Sequence, residues 1–387
     1  MKEEYKQIAA YEVEDYRAAM DRVTAEPSFR LFLDGICQRF GAEGLTPDAI
    51  IGKLQQTAST EDLDREIIFP GLWWIAAHRA DSFVLDGAEN VHGPALFITN
   101  HRDIIMDAAF LSILLERSHG ILPYMAIGTN LYVQPWVEDF MRLNRTFSVI
   151  RGGAPREVMT NSQRLSAYMR YVMSKAGGSH SIWIAQREGR AKDGDDRTQP
   201  ALLKMLAMTG NGSPAERLAA LNLTPAALCY EYDPCDYLKA REMQLRRDNP
   251  QWHKTPADDY QSMLTGIMGR KGRIVFRITP SLSEELLQLA ARTDNRNEQI
   301  TAAALLTDRH IHSHYHIFPS NRIALDLLES SSHGGYTEEE KQTFLNYLQG
   351  QLDKTELPSK DEHFLRERLL EMYANPLRNQ LKAQENA

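Results

Sequence analysis

The residues best suited to chemistry stand in four short segments. In the first, Thr99-Asn100-His101-Arg102-Asp103-Ile104-Ile105-Met106-Asp107, an imidazole precedes one carboxylate by two residues and another by six. If a strand ends at Thr99 and Asp103 caps the helix that follows, Asp107 lies about one turn into that helix with its side chain leaning back toward the turn. A carboxylate so placed can hold the imidazole in one tautomer, leaving the other ring nitrogen as a general base for a hydroxyl. A capping Asp beside a structural His accounts for the same residues without chemistry.

The second segment, LNRTFSVIRGG (143–153), delivers Arg151 from a short strand into a Gly-Gly turn, where a guanidinium can fork onto phosphate or carboxylate. A solvated Arg after an edge strand is the plain alternative. The third, QREGRAKDGDDRT (186–198), concentrates charge and two glycines at the exit of the apolar strand SIWIA. That composition suits an anionic or polyhydroxylated ligand, or simply a charged surface hairpin. The fourth, LTPAALCYEYDP (223–234), opens a buried strand with Pro225 and ends it near Tyr230 and Glu231, which structure alone could explain.

The elements that must position these segments follow from periodicity. ALFIT (95–99), FSVI (147–150), SIWIA (181–185), AALCY (226–230) and GRIVFRI (272–278) read as strands. DIIMDAAFLSILLER (103–117) and APREVMTNSQRLSAYMRYVMSK (154–175) read as helices. Alternation of the two predicts an α/β fold with a mixed central sheet flanked by helices. The first eighty residues read as helices punctuated by Pro27, Pro47 and Pro70. Helices return from Ser281, with starts at Ser283 and Thr337. The expected organisation is an N-terminal helical region (1–80), an α/β domain (81–280) and a C-terminal helical region (281–387). The stretch Leu238 to Gly272 is either a binding loop or a small helical insertion.

Composition narrows the classes. Lys and Arg total 44 against 52 Asp and Glu, a net charge of −8, so no global electrostatic case for nucleic acid exists. Cys37, Cys229 and Cys235 form no CxxC, and the charged N-terminus lacks the apolar core of a signal peptide; a reducing cytoplasm is the expectation. No apolar run reaches the ~20 residues of a membrane span.

Taken in order, the four segments resemble the blocks of the glycerolipid acyltransferase superfamily, which includes glycerol-3-phosphate and 1-acylglycerol-3-phosphate acyltransferases. NHRDIIMD is similar to its His-to-Asp block, FSVIR to its Arg block, WIAQREGRAKDG to its Glu-Gly-Arg turn, and LTPAALCYEYDP to its Pro-opened strand. The order at successive strand exits carries more than any one block. In the family the first-block Asp falls one residue earlier, where this chain has Met106. Asp107 is the better match of the two carboxylates, because AAFLSILL follows it as an apolar helix follows the family Asp. The third block is one residue short between Glu and Arg.

The resemblance implies acyl transfer from acyl-CoA or acyl-carrier protein to a glycerol hydroxyl, first of all that of a 1-acylglycerol 3-phosphate. Glycerol 3-phosphate is the nearest rival acceptor, with other lysolipids and amino-acid lipids behind it. It implies His101 as base and Asp107 as its partner, with Asn100, Arg102, Asp103, Arg151, Glu188, Gly189, Arg190 and Lys192 around the substrate. Arg151, Arg190 and Lys192 would hold the acceptor's phosphate, and Glu188 would contact its hydroxyls or orient an Arg. No metal or organic cofactor is implied beyond the thioester co-substrate.

Several features admit other readings. The run His310-Ile311-His312-Ser313-His314-Tyr315-His316 alternates like a strand and could set four imidazoles on one face, which with Asp103 would suit a metal-dependent hydrolase. A His-rich surface is the plain alternative. Phe69, Leu72, Trp73 and Trp74 could insert at a membrane surface, which would put the protein on the inner face of the cell membrane, or they are core. Arg241, Arg246, Arg247, Lys254, Arg270, Lys271 and Arg273 could meet anionic lipid or an acidic carrier protein, or form a solvated face. A non-catalytic lipid-binding protein would also accommodate the irregular block spacing.

Overall fold

A computed structural model describes residues 3–40, 45–150 and 152–385, with the side chains of 39 and 40 excepted. Its centre is one seven-stranded sheet. In chain order the strands are β1 (Ala80–Asp86), β2 (Leu96–Thr99), β3 (Tyr124–Gly128), β4 (Thr146–Val149), β5 (Ile182–Ala185), β6 (Leu223–Tyr230) and β7 (Gly272–Ile278). They lie in the order β1-β7-β6-β2-β5-β3-β4, and the β6–β7 pair alone is antiparallel. The fold is the expected mixed α/β one. β1 and β3 were not among the strands read from sequence; ADSFVLD carries charge at both ends and YMAIG is short and ends in Gly, so neither presents a clean β-branched run.

The period of two in the strands divides the core. Leu96, Ile98, Ile182 and Ile184 face one cluster, whereas Phe97 and Trp183 face the other. Helices Pro155–Met173, Ser283–Arg292 and Arg296–Ser313 cover the first face, and helices Phe69–Arg79 and Met106–His119 cover the second. Pro27 and Pro47 open their helices, where a missing N–H costs no intrahelical bond. Pro70 instead lies just after a π-helical turn, Asp64–Ile68, within a continuous helical run.

The segment 238–272 is the helical insertion, formed by helices Asp236–Asp248 and Pro256–Met268. Its basic residues are not a free anionic-lipid face. Arg241, Arg246, Arg247, Lys254, Arg270 and Arg273 each pair with a carboxylate, and buried Lys271 donates to the Ile267 and Gly269 carbonyls. Trp73 and Trp74 pack against the core: Trp73 meets Phe83 edge-on at 5.7 Å, and Trp74 stacks on His78 at 4.1 Å.

The histidine run forms the end of helix Arg296–Ser313 and the turn after it, not a strand. Ile311 and Tyr315, four residues apart, are buried together against Cys229 and Val275. That helical spacing overrides the apparent alternation of the histidines. The imidazoles go separate ways: His310 Nε2 to Glu285 at 2.7 Å, His312 Nε2 to the Asp196 carbonyl at 2.7 Å, and His314 Nδ1 to the His310 carbonyl at 2.9 Å. Among the described residues no group of three or more His, Cys, Asp or Glu could hold a metal ion.

The C-terminal helices join the insertion through a buried hub. Asp236 is fully buried and accepts hydroxyl bonds from Tyr347 (2.7 Å) and Tyr373 (2.6 Å), as well as an amide bond from Gln351. Burial, then the neighbouring Asp233 carboxylate, pushes Asp236 up to about 6 from 3.8. A carboxyl raised in the folded state favours folding while protonated. Its contribution is complete below the unfolded value near 3.8 and is lost as pH rises through 6. The loss is on the order of 3 kcal/mol. Asp236→Asn mimics the protonated form, so its Tm relative to the unsubstituted protein should climb between pH 4 and 7; a flat difference would show that Asp236 does not titrate in that window.

Candidate active site

The site begins with a mismatch in strand length. Thr99, the last residue of β2, pairs with Ala185 on one side and Ala226 on the other, but β6 runs on to Tyr230. Beyond Thr99 the side chain of Asn100 continues the ladder. Its Oδ1 accepts from Leu228 N at 2.7 Å and its Nδ2 donates to Leu228 O at 3.0 Å. Asn100 is fully buried with both amide groups engaged, so it serves as the hinge of the turn and not as the substrate contact expected of it.

His101 follows at the lip of the turn. Helix Met106–His119 starts later than the sequence suggests, with Ile105 in the cap position. Asp103 nonetheless acts as a cap from a distance, its Oδ1 accepting from Ile105 N and Met106 N, both at 2.9 Å. Asp103 is 5% exposed, and Gly266 of the insertion packs so tightly on it that an added Cβ would meet Oδ2 at 2.0 Å. Asp103 therefore shapes the backbone and is shielded from substrate. Burial, then the Asp107 carboxylate, raises its pKa.

Asp107 gathers the turn. Its Oδ2 accepts from His101 Nδ1 (2.8 Å), Arg102 N (2.6 Å) and Asp103 N (3.0 Å), and its side chain has no exposure. Asp107, not Asp103, is thus the partner of His101. The bond occupies Nδ1 and leaves Nε2 as the ring nitrogen able to take a proton, on a side chain that is 13% exposed. Trp183 meets the imidazole at 6.0 Å with its ring plane tilted by 68°, and is itself held by Nε1 donating to Thr99 Oγ1 at 3.1 Å. Tyr230, at the far end of β6, is a neighbour the sequence did not single out for this role. Its hydroxyl and the Oδ1 of Asp107 are both buried without a hydrogen bond of ordinary length. Burial, then the Asp107 charge, pushes the phenol well above 10.

Arg102 turns inward. It is 5% exposed, pairs with Asp196 at 3.2 Å and donates to the Tyr315 hydroxyl at 3.4 Å, so it joins the His turn to the third segment instead of meeting substrate. That segment stays beside the turn because Gln186 N donates to Thr99 O at 2.7 Å. Within it, Glu188 and Gly189 are exposed; Gly189 has a φ of +69°, a conformation natural to glycine. Arg190 Nη1 and Arg187 Nε are buried donors with no hydrogen-bond partner among the described residues. Lys192 is paired with Glu242, and burial, then Arg246, lowers its pKa to about 7. Its ammonium is committed to the insertion. Arg151 lies outside the described residues.

An apolar cavity of about 320 Å³ begins at the same turn. Ile104, Ile105, Met106 and Ala109 line it, together with Phe32, Trp136 and Tyr260 from other parts of the chain. The N-terminal helices thus supply one wall and the insertion another.

The shared oxygen of Asp107 makes a stability prediction. Asp107→Ala leaves two buried backbone N–H groups without an acceptor, at about 1–3 kcal/mol each. Chemical denaturation should show that loss, whereas His101→Ala should cost less than half as much. Asp107→Asn, which retains a carbonyl acceptor, should fall between them in stability.

Residues 82–199 match the Acyltransferase family model. No curated protein matches the sequence. Among solved structures the chain is similar to the crystal structure of the 1-acyl-sn-glycerophosphate (LPA) acyltransferase PlsC from Thermotoga maritima. The identity is 12% and the TM-score 0.31, over 75% of this chain and 95% of that one. A likeness of that size carries no argument, and the assignment rests on the family match. The matched span contains His101, Asp107 and the Glu188–Arg190 turn, whereas the Pro225 strand lies beyond it. Residues 82–199 are therefore an acyltransferase domain, which supports acyltransferase activity for the chain.

Proposed function

We propose that the protein transfers a fatty acyl group from acyl-CoA or acyl-carrier protein to the free hydroxyl of a 1-acylglycerol 3-phosphate, with His101 as general base. The observation that carries this reading is the juxtaposition of a polarised imidazole with an apolar cavity that starts three residues after it. A thioester whose chain lies along Ile104, Ile105 and Ala109 would present its carbonyl near His101.

The reaction then runs in two steps. His101 Nε2 takes the proton of the acceptor hydroxyl as its oxygen bonds to the thioester carbonyl carbon. Asp107 stabilises the imidazolium so formed. The tetrahedral intermediate collapses, the carbon–sulfur bond breaks, and the imidazolium returns its proton to the departing thiolate. The products are an ester and a free thiol, and no metal or redox step enters this balance.

The unpaired donors of Arg190 and Arg187 favour a phosphorylated acceptor, since a buried guanidinium nitrogen without a partner is costly unless an anion fills the place. Arg151 is proposed as a further phosphate contact on the strength of its block alone. The exposed Leu31, next in sequence to the cavity residue Phe32, supports a lipid surface as the source of substrate.

Thiol release from acyl-CoA and acyl-carrier protein should depend on a glycerophosphate acceptor and fall to background in His101→Ala; release that survives in the folded variant would remove His101 as base. Arg190→Ala should raise KM for a phosphorylated acceptor by about 10-fold or more, the range of a charge-assisted hydrogen bond, with kcat little changed. Ala109→Phe narrows the cavity near the turn, and assays across thioester lengths should show preference moving to shorter chains.

A further inference from the structure

Lys239 is a buried charge that the proposed chemistry does not use. It lies in the first turns of helix Asp236–Asp248, is 2% exposed, and forms an ion pair with Asp233. The ammonium also donates to the main-chain carbonyl of Arg102 at 2.9 Å. Arg102 is the residue after His101, and its own N–H is held by Asp107 Oδ2 at 2.6 Å. Asp107 thus holds the N–H of both peptide groups that flank Arg102, and Lys239 holds the carbonyl of the second from the other side.

The Lys239 anchor is itself held from behind. Asp233 Oδ1 accepts from Cys235 N at 2.8 Å, and Asp233 N donates to the Tyr373 hydroxyl at 3.0 Å. Tyr373 belongs to the last helix, Glu362–Glu385. A buried ion pair is a poor source of net stability, because apolar side chains of similar volume do as well or better. What it supplies is direction: a charge with a short bond to one carbonyl allows the peptide little rotation.

We propose that Lys239, backed by Asp233 and Tyr373, is a positioning residue for the acyl-transfer reaction. By fixing the Arg102 carbonyl it sets the orientation in which His101 meets the acceptor hydroxyl. The inference rests on the reading of His101 as general base. It extends the working site from the α/β sheet to the insertion and the C-terminal helix.

The test is Lys239→Met/Asp233→Asn, which removes both charges together and keeps an acceptor for Cys235 N. The expected result is a 10- to 100-fold lower kcat, with KM for thioester and acceptor within twofold and Tm within a few degrees. Asp233→Asn alone, which retains the bond to Arg102, should lower kcat by a smaller factor with KM again unchanged, and it stands in if the double variant does not fold. A matched control is Glu231→Gln/Arg273→Met, a partly buried pair joining β7 to the residue after β6, whose side-chain bonds are to each other and not to the turn; it should leave kcat within twofold.

His101→Ala is assayed alongside. If it keeps turnover, the base assignment fails and the positioning role fails with it. If it is inactive while the Lys239 double variant, or Asp233→Asn in its place, retains full kcat, the positioning role alone is overturned. A change in KM in place of kcat, or an equal loss in the control pair, would overturn it as well.

Discussion

One carboxylate oxygen holds the site together. Asp107 Oδ2 binds the imidazole it orients and the two backbone amides that shape the turn carrying that imidazole. The two amides are buried and have no water to turn to, so the orientation of the imidazole and the local fold share one energetic term. A carboxylate with a single duty could drift with its His. This one is held by the backbone it folds.

The sheet supplies the other constraint. β2 stops at Thr99 while β6 continues, and the side chain of Asn100 fills the gap by pairing with Leu228 as a strand residue would. The His turn consequently sits against the last residues of β6, with Tyr230 beside Asp107, and against the first residues beyond β5, where Gln186 pairs with Thr99. Segments far apart in sequence converge there because parallel strands bring their C-terminal ends to one edge. The apolar cavity meets this polar edge at Ile104–Met106. The proposed joining of a greasy thioester to a polar alcohol would use such a boundary.

Much of the charge that looks available in the sequence is consumed internally. Arg102, Lys192, Arg273, Arg241 and Arg246 have carboxylate partners within the fold. Single buried nitrogens of Arg190 and Arg187 lack partners, as do those of Arg79, Arg170, Arg217 and Arg368, but Arg190 and Arg187 lie in the third segment beside the His turn. The C-terminal helices contribute through the Asp236 hub and Tyr373 and so reach the turn without approaching it in sequence.

The sequence by itself determined what local rules decide: five of the seven strands, the principal helices, and His101 with a carboxylate one turn later, all of which follow from periodicity and turn chemistry. It could not rank Asp103 against Asp107 by turn chemistry alone, since both lie within reach of a turn whose backbone path was unknown, and only the family resemblance favoured Asp107; the helix that starts at Met106 sets Asp107 against His101, in line with that choice. It read the histidine run as a strand because alternation is visible along the chain, whereas the burial of Ile311 and Tyr315 that makes it a helix end depends on the sheet beneath. Lys239 and Asp233 gave no signal at all. A charged residue in a polar helix looks solvated until distant helices close over it, and only the tertiary structure turns its charge toward a single carbonyl.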